Sequence, residues 1–149
     1  MLLALLIGVM AGLRAMTAPA AVSWAAGLGW LDVSGTWLAF LAHTWTRWIF
    51  TLLAIGELVN DQLPSTPSRT VPVQFGARLI MGALSGAAIA GLAGGLLGIV
   101  GAVIGTLGGR AFRARLAATF GSDPPAAFIE DAVAIAGAAL IVMAVRNQM

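Results

Sequence analysis

Long apolar runs separated by short polar stretches dominate this chain, and they restrict it to a helical bundle in a lipid environment. Only 9% of its 149 residues are charged, whereas a soluble domain carries about a quarter. So few charges cannot cover a soluble surface of this length. The sequence therefore predicts an all-α integral membrane protein forming one domain over residues 1–149.

The runs predict about five transmembrane helices, over 2–26, 37–62, 75–93, 96–119 and 125–145. The first stretch is read as a retained helix rather than a signal peptide. No basic residue precedes it, and Arg14 falls between its apolar part and the small-residue site Ala18-Pro19-Ala20. Pro19 predicts a kink or break near Thr17–Pro19. Gly94-Gly95 is the expected turn of a Gly-rich hairpin formed by the third and fourth helices. Pro124-Pro125 marks the start of the last helix.

Composition also excludes several kinds of chemistry. There is no Cys, which rules out disulfides and thiolates, and no Lys, which rules out a Schiff base. The net charge of +2 comes from eight Arg against six acids, and no basic run with interleaved aromatics supports nucleic-acid binding. No cofactor is expected. His43 is the only His, and it lies on the opposite side from the carboxylates in this topology, so Ser/His/Asp catalysis finds no support.

Arginines set the expected orientation. Arg69, Arg78, Arg110, Arg113 and Arg115 fall in or beside two connections, while the loops opposite carry none apart from Arg146 at the C-terminal end. The positive-inside rule then puts the N-terminus in the cytoplasm and the C-terminus outside. Trp24, Trp30, Trp37, Trp45 and Trp48 cluster around the first external loop and read as an interfacial belt, with a cation-binding aromatic cage as the alternative. Glycines four apart (Gly8 and Gly12, Gly82 and Gly86, Gly91 and Gly95, Gly101, Gly105 and Gly109) define close-packing faces. Such faces pack inside the bundle or between subunits, so a homo-oligomer or a partner membrane subunit is expected alongside the lipid bilayer.

The sharpest functional lead is a set of carboxylates in or at the rim of apolar helices: Glu57, Asp61, Glu130 and Asp131. Charges at membrane depth are costly and persist where they face a partner, cavity or pathway. Glu57 and Asp61 share a helix face, with Asn60 adjacent. Arg14 needs an acceptor, and Glu57 and Glu130 are the expected ones by depth. Thr17 lies about one turn from Arg14. Two readings follow. Either the acids are structural partners of Arg14, or they line an ion pathway in which four acids against one Arg leave surplus negative charge. A hard cation such as Mg²⁺ or Ca²⁺ would suit carboxylates plus Asn60, but no spacing is diagnostic of a metal. The loop from Leu63 to Pro72 is dense in proline and hydroxyls, and could fold over the acids with Arg69 or Arg78 pairing to Asp61. Those two arginines could instead hold a lipid phosphate.

Three stretches carry a family resemblance: Gly12-Leu13-Arg14-Ala15-Met16-Thr17-Ala18-Pro19-Ala20, the segment from Gly56-Glu57-Leu58-Val59-Asn60-Asp61 to Ser68-Arg69-Thr70, and Glu130-Asp131-Ala132-Val133-Ala134-Ile135. Together they resemble a bacterial family of small membrane proteins known only as a domain of unknown function. That resemblance implies a multi-pass protein of the bacterial inner membrane and supplies no activity. Separately, Ile7–Arg14 resembles Val100–Arg110, which would fit an inverted repeat of the transporter kind. The expected function is a small transporter or channel, not an enzyme, that moves protons or a small cation past Glu57, Asp61, Glu130 and Asp131. The alternatives are a structural or accessory subunit packed through its Gly faces, and a lipid-phosphate binder.

Overall fold

The computed structural model describes residues 1–63 and 68–148. The proline- and hydroxyl-rich stretch at 64–67 lies outside the described residues. The chain folds into α1 (Leu2–Leu13), α2 (Thr17–Gly27), a 3₁₀ helix (Trp37–Ala42), α3 (Thr44–Asp61), α4 (Pro72–Phe120) and α5 (Asp123–Arg146), with no strand among the described residues.

Five transmembrane helices are not what forms. Two helices are long and apolar enough to cross a membrane, α4 with 49 residues and α5 with 24. Only 33% and 39% of their most apolar windows are buried. The stretch 2–26 is two helices rather than one. At 12 and 11 residues, about 18 and 16 Å, each falls short of a ~30 Å hydrocarbon core. The break lies at Arg14, which is extended (φ −141°, ψ 113°), and not at Pro19. Pro19 sits in the first turn of α2, where its missing N–H has no helical partner to lose.

The chain reverses at that break. Met10 of α1 packs over Gly137 of α5, and Arg14 bonds Asp131, so α1 runs antiparallel to α5. α2 runs the other way, ending near Trp30, whose ring lies under the Arg146 guanidinium. α3 returns beside α2: the Trp24 indole donates to Thr51 at 2.9 Å, and Met16 faces Glu57. α3 has no buried residue, and its exposed Trp45, Ile49, Leu52 and Ile55 leave an apolar outer face.

α4 reverses as well. Ala90 (φ −145°, ψ 31°) and Gly91 (φ 62°, ψ −153°) leave the helical region and split it into legs 72–89 and 92–120. The positive φ at Gly91 is one that an L side chain rarely adopts. The expected turn at Gly94-Gly95 is displaced: both lie inside the second leg. The legs run antiparallel, with Gly82 against Gly98 and Gly86 against Gly94. α1 inserts beside them, and its Gly8 and Gly12 meet Gly98, Ala102 and Gly105 backbone to backbone. Here the pair runs parallel, so Ile7–Arg14 and Val100–Arg110 pack side by side in one direction and not as an inverted repeat. Gly8, Gly12, Gly82, Gly86, Gly94, Gly98, Gly101 and Gly105 thus pack backbone to backbone within the chain, whereas Gly91 meets nothing within 4 Å.

With these two reversals both termini lie at the tryptophan end. This corrects the expectation of termini on opposite sides. One end of the bundle holds Trp24, Trp30, Trp48 and the α4 turn. The other gathers the α1–α2 break, the end of α3, both outer ends of α4 and the start of α5.

Candidate functional site: an arginine–carboxylate network at a helix break

Breaking a helix frees backbone groups that need partners. At the α1–α2 break each set finds one. Glu57 accepts from the Ala15 and Met16 amides, one carboxylate oxygen each, at 2.8 and 2.9 Å. Arg78 donates one nitrogen to the Gly12 and Leu13 carbonyls at 2.7 and 2.9 Å, and the Thr106 hydroxyl reaches Gly12 at 3.2 Å. Glu57 and Arg78 themselves lie 3.8 Å apart. Side chains from distant segments thus satisfy both sets of freed backbone groups. Glu57→Gln removes the charge and one of the two acceptor sites. Its expected cost is about 2 kcal/mol, read as a lower melting temperature in detergent. An unchanged melting temperature would contradict the capping role.

Arg14, fully buried, occupies the break itself. Its Nε donates to Asp131 at 2.6 Å and its Nη2 to Asp61 at 2.7 Å, while Glu130 stands 3.6 Å away. The expected partners were Glu57 and Glu130. The first caps backbone instead, and the second is held by both arms of Arg69, with one bond at 2.7 Å. Arg69 and Arg78 were expected to pair with Asp61 or with a lipid phosphate; both are committed inside the network. Asp61 is shared between Arg14 and Arg113, and Arg113 continues to Asp123. Gln62 donates to the second oxygen of Asp131 at 3.2 Å.

Arg14, Arg69, Arg78 and Arg113 thus face Glu57, Asp61, Glu130 and Asp131, with Asp123 on Arg113 at the exposed edge. The negative surplus expected around a single arginine is thereby reduced to one charge. The sequence marks Arg113 only for orientation and Gln62 only within the family-like stretch, and it does not mark Asp123. Their sole signal was position, at the same end as the acids.

Two expected members stand apart. Thr17 begins α2, and its buried hydroxyl makes no hydrogen bond. Asn60 is exposed on the outer side of α3, beside Glu57 in a shallow cleft with Met16 and Gln74. Among the described residues no three His, Asp or Glu side chains converge as metal ligands. His43 precedes α3 at the tryptophan end, far from the acids.

Burial grades across the network. The Glu130 side chain is wholly buried, whereas those of Asp131, Asp61 and Glu57 keep 11%, 16% and 18% exposure. The network therefore has a dry core and a rim that solvent reaches. The fold and this site define a small all-helical protein with apolar outer faces and an interlocked arginine–carboxylate cluster at one end. No family model, no curated protein and no solved structure matches the chain.

Proposed function

We propose that the chain is a small multi-pass transport protein of the bacterial inner membrane, and that its mobile charge is the proton. The observation that carries this is the sharing of one buried guanidinium, that of Arg14, by two partly exposed carboxylates, Asp61 and Asp131. A metal cation entering this cluster meets four guanidiniums. A proton instead neutralises one carboxylate and leaves Arg14 held by the other. The buried Glu130, 3.6 Å from both Arg14 and Arg113, extends the route inward. On this reading the arginine-rich end faces the cytoplasm, both termini face outward, and the short α1–α2 pair forms a re-entrant hairpin.

The test is flux into sealed proteoliposomes under a proton gradient, with Na⁺, K⁺ and Mg²⁺ gradients as comparisons. Proton flux is expected from the native chain, with at least a tenfold loss in folded Asp61→Asn and Glu130→Gln. Absence of flux for every ion would overturn the reading.

A second reading has its own support: each of the four carboxylates has an arginine partner. That arrangement also suits a structural or accessory subunit whose network only locks the helices together. In that case the same substitutions lower the melting temperature and no flux is seen.

A further inference from the structure

Two arginines stand outside the network, at the opposite end of the bundle. Arg47 lies over the Trp24 ring and Arg146 over the Trp30 ring, each guanidinium 5.1 Å from the ring centroid. Neither forms an ion pair among the described residues. Arg47 donates one nitrogen to the Thr44 hydroxyl at 3.0 Å, and its buried Nε has no partner. Elsewhere the chain neutralises its inward-facing arginines with carboxylates. Here no carboxylate among the described residues pairs with either guanidinium.

Both rings also wall a groove. Trp24 and Trp30 line an apolar channel of about 340 Å³ between α2, α3 and α5, whose floor includes Ala21, Ala138 and Val142. The groove opens beside Ile55 and Ile135, both half exposed on the outer apolar surface, and α5 is long and apolar enough to cross a membrane. An occupant of such a groove enters from hydrocarbon. The guanidiniums at its tryptophan end select the sign of its head.

We propose that this groove binds one acyl chain of an anionic membrane phospholipid, with the lipid phosphate held between Arg47 and Arg146. Three features fit that occupant together. The groove is almost wholly apolar, it opens sideways, and its unpaired charge sits where tryptophans favour the headgroup level. At the alternative phosphate site both arms of Arg69 are already committed to Glu130, and Arg78 is committed to the Gly12 and Leu13 carbonyls. This inference uses none of the residues of the proton reading, so either can fail alone.

The experiment is tryptophan quenching by phospholipids brominated on one chain, with the detergent-solubilised chain carrying Trp37→Phe and Trp45→Phe to reduce background. Brominated phosphatidylglycerol is compared with brominated phosphatidylcholine. About ten- to thirtyfold tighter apparent binding is expected for the anionic lipid. Arg47→Gln with Arg146→Gln should abolish that preference, and Arg47→Lys with Arg146→Lys should keep most of it. Arg110→Gln with Arg115→Gln, exposed positions at the other end, should leave it intact. Melting temperatures identify variants that remain folded, and the Lys pair keeps the question answerable if the Gln pair unfolds. Equal quenching by the two lipids in the native chain, or a preference that survives the Gln pair, overturns the proposal.

Discussion

Arg14→Met is expected to lose about 3–5 kcal/mol of stability, because it leaves two carboxylates facing each other across a vacated buried site. Asp61 retains Arg113 and Asp131 retains Gln62. Neither of those replaces the bond that ties α3 to α5 through the break. The fully buried guanidinium would be exchanged for an apolar chain of similar length, so the loss reports on charge and not on volume. Arg14→Met combined with Asp131→Asn removes the orphaned charge together with its partner. That double variant should recover about 1–2 kcal/mol of the deficit. Chemical unfolding in mild detergent, followed by helix signal, measures both. A single variant as stable as the native chain would mean that the acids are held by the other arginines alone.

Gly101→Leu is expected to be the most damaging single apolar substitution, costing about 3 kcal/mol or more. A side chain there would start 2.8 Å from the Val9 nitrogen and 3.0 Å from the Gly8 carbonyl carbon. Those are backbone atoms and cannot rotate away. α1 must therefore move off α4, taking Arg14 with it, so on the proton reading flux should fall along with stability. Gly108→Leu is the matched control, since nothing lies within 4 Å of its added Cβ. It lies in the same leg and should be neutral or slightly stabilising, because leucine favours helix over glycine. Similar melting temperatures for the two variants would show that α1 does not pack as described.

The two substitutions probe different parts of one problem. α1 carries no charge from Leu2 to Leu13, and its closeness to α4 depends on glycines. Its C-terminal end depends on arginine and carboxylate side chains supplied by α3, α4 and α5. The glycine pattern was legible as close packing, since spacing of four places small residues on one face. Whether the packing was internal was not legible, because a stripe of glycines looks the same whichever helix fills it. The carboxylates were legible as a site because charge is scarce in so apolar a chain. Their pairing was not. Glu57 and Asp61 share one face of α3, yet one binds backbone and the other bridges two arginines.

The two chain reversals mark the limit of the sequence. At Ala90–Gly91 the signal was one glycine among many, and the turn was placed four residues late. At Arg14 a single charge within 25 apolar residues read as a guest in a continuous helix. Helical hydrogen bonds there could be given up only because Glu57, Arg78 and Thr106 supply replacements from distant segments. By itself the sequence determined that the chain is helical and apolar, that four acids lie toward one end while Arg14 needs an acceptor, and that glycine faces bring helices close. These follow from composition and local spacing. Only the tertiary structure decided where the helices break, which arginine answers which carboxylate, and that three further arginines join Arg14 at the acids. Those depend on partners far apart in the chain, and no local pattern encodes them.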